Sequence, residues 1–265
     1  MKSFKSIYNH ICCSKYETQG FFRYKDRFYD TFMRIKGDVL QGFSLIKSRG
    51  IPEYHVGFDV CPLCMPNAFF CCGNYRLESL IIENLIEGCD WRVDTSSEES
   101  MVYWAEKILY AVDKHLIPLF DKCTNSKSSL HELIKLVEMI EDIRLEFLRK
   151  KGWPNCDTMS TEEHCYWNDR LYYMAIKSGN WEFAQSSLLY RIKHYENQLS
   201  DINKEVSQQP QVVKEGFVEA ISQLSGHLNR IKIRDHIFFD NLIQDNERQN
   251  FEHISALCPK LINNK

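Results

Sequence analysis

Apolar positions along the chain follow two different rhythms, and the change between them predicts the architecture. Phe4, Ile7, Tyr8 and Ile11 recur at helical spacing, with Gly20 as the expected stop. From 21 to 60 the pattern alternates instead. An aromatic segment, 21–29, is split by a Lys25-Asp26 turn and is followed by 31–35. Lys36, Gly37 and Asp38 form a turn, 39–47 is the next strand, a turn holds Gly50 and Pro52, and 54–60 alternates again. Strands this close leave no room for helical crossovers, so an antiparallel meander of three or four strands is expected. The stretch 67–75 reads as irregular, 77–86 as a short helix or buried strand, and 90–95 as a last short strand.

Beyond Ser96 the period is 3.6 throughout. Ser96 and Glu99 have the spacing of a capping box, in which a hydroxyl and a carboxylate satisfy two orphan amides. Met101, Ala105, Ile108, Leu109, Val112, Leu116 and Phe120 form one stripe, which Pro118 should kink or end. Ser129 and Glu132 suggest a second box, opening a helix that runs to Gly152-Trp153-Pro154. A third helix is predicted from Thr161 through Ile176, broken at Ser178-Gly179-Asn180, and a fourth covers 181–199. A long last helical stretch, 212–257, is expected to be interrupted near Gly216, Gly226 and Asn246. The segment 171–192 has the look of one tetratricopeptide unit, but a single copy reads better as an αα-hairpin.

Strands first and helices afterwards imply an α+β fold: a small antiparallel β-meander covered by helices, then a packed all-helical C-terminal part. The boundary is expected near Pro154, giving an α+β domain over 1–153 and a helical region over 154–265 packed on it.

Composition narrows this picture. Thirty-three Lys and Arg against 36 Asp and Glu give a net charge of −3, which disfavours a strongly basic nucleic-acid binder. Hydrophobic residues make up 44% of the chain, enough to build a real core. No signal-peptide pattern opens the sequence, and no run of apolar residues is long enough to span a membrane. A cytoplasmic location is therefore expected. The 11 cysteines are an odd number, which agrees with reduced thiols in that compartment.

Five strings, in this order, carry a resemblance. They are Gly20-Phe21-Phe22-Arg23-Tyr24-Lys25-Asp26-Arg27-Phe28-Tyr29, Asp38-Val39-Leu40-Gln41-Gly42-Phe43-Ser44-Leu45-Ile46, and Val56-Gly57-Phe58-Asp59-Val60-Cys61-Pro62-Leu63-Cys64. Trp91-Arg92-Val93-Asp94-Thr95-Ser96-Ser97-Glu98-Glu99-Ser100 and Leu116-Ile117-Pro118-Leu119-Phe120 complete the set. Over roughly its first 125 residues the chain resembles the bacterial family called Domain of Unknown Function 4304. The resemblance implies an α+β fold that begins with a helix and a phenylalanine-rich meander. It implies no established reaction, and Cys61 departs from the family's pattern.

Candidate chemistry is sparse. Cys61 and Cys64 have zinc-ligand spacing, with Cys71 and Cys72 following, although adjacent cysteines on an extended segment diverge. Small unpaired apolar thiols are the simpler expectation. His164 and Cys165 are neighbours on a helix, so their side chains point about 100° apart. Glu138, Glu141, Asp142 and Glu146 form an acidic stripe, expected to be a solvated helix face. Arg230, Lys232 and Arg234 lie between His227 and His236 but spread around the helix. Phe22, Tyr24, Phe28, Tyr29, Phe32 and Phe43, interleaved with Arg23, Lys25, Arg27 and Arg34, could stack bases. The competing expectation is an aromatic face against helices and a basic face in water.

No Walker A loop, G-x-G-x-x-G, H-E-x-x-H or G-x-S-x-G occurs. The expected function is therefore a non-enzymatic protein-binding protein, immunity-like or regulatory. No residue is assigned to catalysis, to a cofactor or to a metal, and a protein partner is expected rather than nucleic acid or membrane. Two alternatives stand beside it. One is an unrecognised hydrolase or nucleic-acid-processing enzyme with a site at the sheet–helix junction. The other is a zinc-stabilised domain using Cys61 and Cys64.

Overall fold

A computed structural model of the chain describes residues 2–25, 30–48, 51–68, 75–81, 91–150, 160–204 and 211–262. The first helix, α1 (Phe4–Tyr16), is capped by Ser3, whose side chain accepts from the Ser6 amide. It ends through one 3₁₀ turn at Gly20, which adopts the left-handed conformation that glycine tolerates best.

Four strands follow: β1 (Phe22–Lys25), β2 (Asp30–Lys36), β3 (Val39–Lys47) and β4 (Glu53–Pro62). They pair in sequence order, each antiparallel to the last. Two short strands, β5 (Tyr75–Arg76) and β6 (Trp91–Arg92), lie end to end along the free edge of β4.

The register puts Phe32 opposite Phe43 and Phe43 opposite Phe58. These three rings share a face with Val39, Leu45, Val56 and Val60, because side chains alternate along a strand. On that face pack α1 and the helix α2 (Glu98–Ala111), through Tyr8, Tyr16, Ile108 and Leu109. The opposite face carries Met33, Leu40 and Cys61, which meet Ile254, Cys258 and Leu261 from the C-terminus of the chain. The sheet is therefore buried on both sides.

The expected aromatic face does lie on helices, but the opposite face is not the expected basic one in water, because it is covered as well. Arg34 shares the face of Phe32 and is itself buried. Its guanidinium donates to the Gln41 side chain at 2.7 Å and to Asp121 at 2.7 Å, and lies 4.5 Å from the centre of the Phe21 ring. Gln41 in turn donates to the carbonyls of Phe120 and Cys123 at 2.6 Å. It thus satisfies the end of α3 (Ile117–Lys122) from beneath.

Several predicted boundaries move. The cap of α2 is Ser97, not Ser96, so Ser100 and not a carboxylate stands at the third position. The stripe after Ala111 passes through a π-turn, Val112–Leu116, and Pro118 falls in the first turn of α3, where a missing amide costs little. The next helix, α4 (Ser126–Lys150), starts before the expected Ser129 box. Asp38 from the β2–β3 turn draws its start forward, accepting from the Ser126 amide at 2.8 Å and hydroxyl at 2.7 Å. Ser129 is a buried residue within that helix.

The third predicted helix is two, α5 (Thr161–Trp167) and α6 (Asp169–Ser178), parted at Asn168. Gly179 ends α6 in the left-handed conformation, and α7 (Trp181–Lys204) runs back as the second arm of the expected hairpin. The last stretch breaks neither at Gly216 nor at Gly226. It divides into α8 (Gln211–Lys232) and α9 (His236–Leu257), with Arg234 at φ 51 in the turn. Asn246 does not interrupt α9 either. It and Asn250, one helical turn apart, grip the loop after β4: Asn246 donates to the Cys64 carbonyl at 2.9 Å. Asn250 donates to the carbonyls of Leu63 at 2.8 Å and Met65 at 2.7 Å, and accepts from the Ala68 amide at 2.9 Å.

The main apolar core joins residues from Phe4 through the sheet and α2 to Leu171, Leu188 and Phe239. No helix among the described residues is long and apolar enough to cross a membrane.

Candidate functional site

The break at Asn168 organises the surface where α5, α6, α7 and α8 meet. Asn168 has extended backbone angles, and its side chain accepts from the Arg170 amide at 3.0 Å, capping α6. Its amide nitrogen also donates to the Tyr75 hydroxyl at 3.0 Å, which ties the break to β5. Ending α5 there leaves the Tyr166 carbonyl without a helical partner. Two buried side chains of α7 supply one: Ser187 donates at 2.7 Å and the Arg191 Nε at 2.9 Å. A helix end that sequence reading ran straight through is thus the reason Arg191 is held where it is.

Arg191 is only 7% exposed. Its Nη1 pairs with Asp169, the first residue of α6, and its guanidinium lies 5.5 Å from the centre of the Tyr172 ring. Its Nη2 is buried with no hydrogen-bond partner among the described residues. Tyr172 and His227 of α8 are linked by an OH···Nδ1 contact of 3.1 Å. Burial lowers the His227 pKa from the usual value, which favours the neutral ring. A neutral ring carries one proton, so the contact is a hydrogen bond in which Nδ1 accepts from the Tyr172 hydroxyl in one tautomer and Nδ1–H donates to it in the other.

Two adjoining cavities open over this group. One, of about 270 Å³, is lined by Trp167, Asp169, Arg191, Tyr195, Ala220, Gln223 and Leu224. The other, of about 340 Å³, shares Asp169, Arg191, Gln223 and Leu224 and adds Tyr172, Tyr173 and His227. Trp167 forms the rim. Its ring centroid lies 4.8 Å from that of His194 and 5.5 Å from that of Tyr195, which touches Phe217 at 5.6 Å. The cleft thus joins a cluster of mutually tilted aromatic rings to a buried cation.

The residues singled out in the sequence lie elsewhere, apart from His227. Cys61 and Cys64 are both buried, at the end of β4 and in the loop held by Asn246 and Asn250. The Cys64 thiol donates to the Tyr173 carbonyl at 3.5 Å, and burial pushes its pKa up to about 12. Cys71 and Cys72 lie outside the described residues. Among the described residues, no three His, Cys, Asp or Glu side chains gather in a way that would hold a metal. Burial likewise raises Cys165 to about 11, far from a nucleophilic thiolate at neutral pH.

In the acidic stripe Glu138 and Asp142 are exposed, as expected of a solvated face, but Glu141 is not. Glu141 is buried, and its carboxylate meets the His164 Nε2 of α5 at 3.3 Å. The partner comes from another helix, so spacing along one helix could not reveal it. In the basic run, Arg230 pairs with Asp235, the N-cap of α9, at 2.5 Å and lies over Phe238. Of the aromatic strand residues, Phe32 and Phe43 are sealed in the core, while Phe22 and Tyr24 are half-buried against the second cluster. Phe28, Tyr29 and Arg27 lie outside the described residues.

At the sheet–helix junction an ion pair joins β4 to α6. Asp59, fully buried in β4, accepts from the Arg170 Nη2 of α6 at 2.6 Å. Sequence reasoning missed Arg191, Asp169 and Tyr172. The one signal was the capping preference of Asn168, an Asn followed by Asp inside a helical pattern. Comparison with known protein families, curated proteins and solved structures finds no match to this chain.

Proposed function

We propose that the chain is a non-enzymatic protein-binding protein, immunity-like or regulatory, of the bacterial kind that its resemblance to Domain of Unknown Function 4304 suggests. The supporting observation is the distal part of the α7–α8 hairpin. Tyr195 meets Phe217, and Tyr195 and Arg191 line a cavity with Ala220 and Gln223, so the two helices run antiparallel. From 192 to 202 and from 211 to 227 none of their described residues is buried. This two-helix arm leaves Val212 and Val218 exposed. On its outer face Val218 sits between Glu215 and Glu219, with Gln211, Lys214 and Ser222 alongside. Such a face suits a helix that offers an apolar side chain flanked by basic ones.

The enzymatic alternative is less supported, because the junction where its site was expected carries a buried ion pair between Asp59 and Arg170. In the cleft between α5, α6, α7 and α8 the histidine is bonded to Tyr172 and the carboxylate to Arg191, and among the described residues the lining holds no Ser, Thr, Cys or Lys.

A photo-crosslinking residue at Val218, compared with one at Glu106 on the exposed side of α2, tests this reading in the native cell. The expected result is one discrete heterologous adduct from position 218, lost when Glu215 and Glu219 are changed to lysine. Equal labelling from both positions, or an adduct containing only a second copy of the chain, would refute it.

A further inference from the structure

The cleft beneath the arm contains a buried cation whose hydrogen-bonding capacity is not used up. Arg191 donates Nε to Tyr166 and Nη1 to Asp169, while its Nη2 has no partner among the described residues. Asp169 is a removable counter-ion: its side chain is 66% exposed, whereas that of Arg191 is 8% exposed. A planar guanidinium with two adjacent nitrogens matches a carboxylate through two parallel bonds.

Charge and shape narrow the ligand further. The lining of both cavities holds one guanidinium, one carboxylate and no lysine. A displaced Asp169 would stay close and repel a dianion, so a single negative charge fits better than a phosphate. Around the cation stand the flat rings of Trp167 and Tyr195 and the apolar Ala220 and Leu224, in a space of about 270 Å³. That volume is near the lower end for small-molecule sites, the size of a single ring with a short substituent. Gln223 and His227 add polar groups along the same floor.

We propose that this cleft binds a small free carboxylate with a flat apolar body, whose carboxylate replaces Asp169 on the Arg191 fork. Its ring lies against Trp167 and Tyr195. Asp169 serves as a built-in stand-in, closing the ion pair when the site is empty and swinging into water when it is filled. This site shares Gln223 with the groove beside Val218, but its existence does not depend on a protein partner.

Benzoate is the probe, titrated against the intact chain and followed at the Trp167 indole N–H resonance, which is assigned by its loss in Trp167→Phe. A saturable shift is expected with benzoate and none with neutral benzyl alcohol. Asp169→Asn should tighten benzoate about fivefold, the scale of one exposed ion pair. A merely structural Asp169 would not produce that gain. Arg191→Lys, which keeps the charge and loses the fork, should weaken it about tenfold. Should that variant not fold, the neutral isostere and Asp169→Asn decide. No saturable shift up to about 10 mM benzoate would overturn the proposal. So would unchanged affinity in Asp169→Asn, tighter binding of inorganic phosphate, or tighter binding of a short peptide ending in phenylalanine.

Discussion

The sheet layer and the helical arm are built on opposite terms. Around the sheet, several strong polar groups are paired inside the molecule, although the buried Arg170 Nε has no hydrogen-bond partner among the described residues. Arg34 is divided among Gln41, Asp121 and the Phe21 ring, Asp59 holds Arg170, and Asp38 both caps α4 and meets Lys177 at 3.3 Å. Along the arm, apolar side chains such as Val212 and Val218 are left in water, and the cation at its base is held to an exposed partner. Burial on both faces gives the sheet its stability and leaves it little to offer another molecule. The arm contributes little stability and presents chemistry that nothing in the chain consumes. The difference teaches where function is to be sought: recognition sits where folding has not used up the available bonds.

The largest test of this contrast is Arg170→Met. Asp59 is fully buried, so the variant removes the cation paired with it in an apolar layer and should cost about 3 kcal/mol in urea unfolding. Adding Asp59→Leu should recover most of that loss, because two apolar residues avoid the desolvation of both charges. A loss below about 0.5 kcal/mol for the single variant would mean that the junction is as open as the arm.

These two regions also differed in how much the sequence revealed. The meander was legible because alternation, the Gly37 turn and aromatic runs are all local signals, and strands in hairpin order need no long-range information. The partners that close the sheet were not. Gln41 reads as a polar strand residue until the end of α3 is placed over it, and Glu141 reads as solvated until α5 delivers His164. Helix periodicity survived well, but its interruptions did not. The Asn168 break costs no apolar position, since Cys165 and Leu171 remain buried on either side of it. Arg191 was therefore invisible as a site residue: its role depends on a carbonyl orphaned by that break, 25 residues earlier in the chain. Glycine proved a poor guide within helices, where Gly216 and Gly226 sit without consequence and Arg234 takes the left-handed turn instead.

A second, smaller effect should appear with pH at the base of the arm. His227 has a pKa below the usual 6.5 because it is desolvated. As the pH falls through 6.5, the unfolded chain takes up a proton that the folded chain resists, so protonation favours unfolding. Well above that value both states are neutral and the group contributes nothing to the pH dependence. Stability should thus fall on acidification more steeply in the parent chain than in His227→Gln, with the two curves parallel at alkaline pH. Urea midpoints measured across that range check it. Parallel curves throughout would mean that the histidine is as hydrated as the rest of the arm.

The smallest expected effect is the one that most sharply separates the regions. Val218→Asp places a charge on the outer face of α8, at a side chain 55% exposed and flanked by Glu215 and Glu219. No core contact is lost there, and like charges at helical spacing repel by only a few tenths of a kcal/mol. The unfolding midpoint should therefore change by less than about 0.5 kcal/mol. The same substitution at Val56, fully buried on the helix-covered face of the sheet, would bury a charge with no partner and should prevent folding. A near-neutral Val218→Asp that nonetheless abolishes capture by a photo-crosslinking residue at the neighbouring Ser222 would separate binding from stability at one side chain. If it destabilises the chain by several kcal/mol, the arm packs against the body, and the contrast between the two regions collapses.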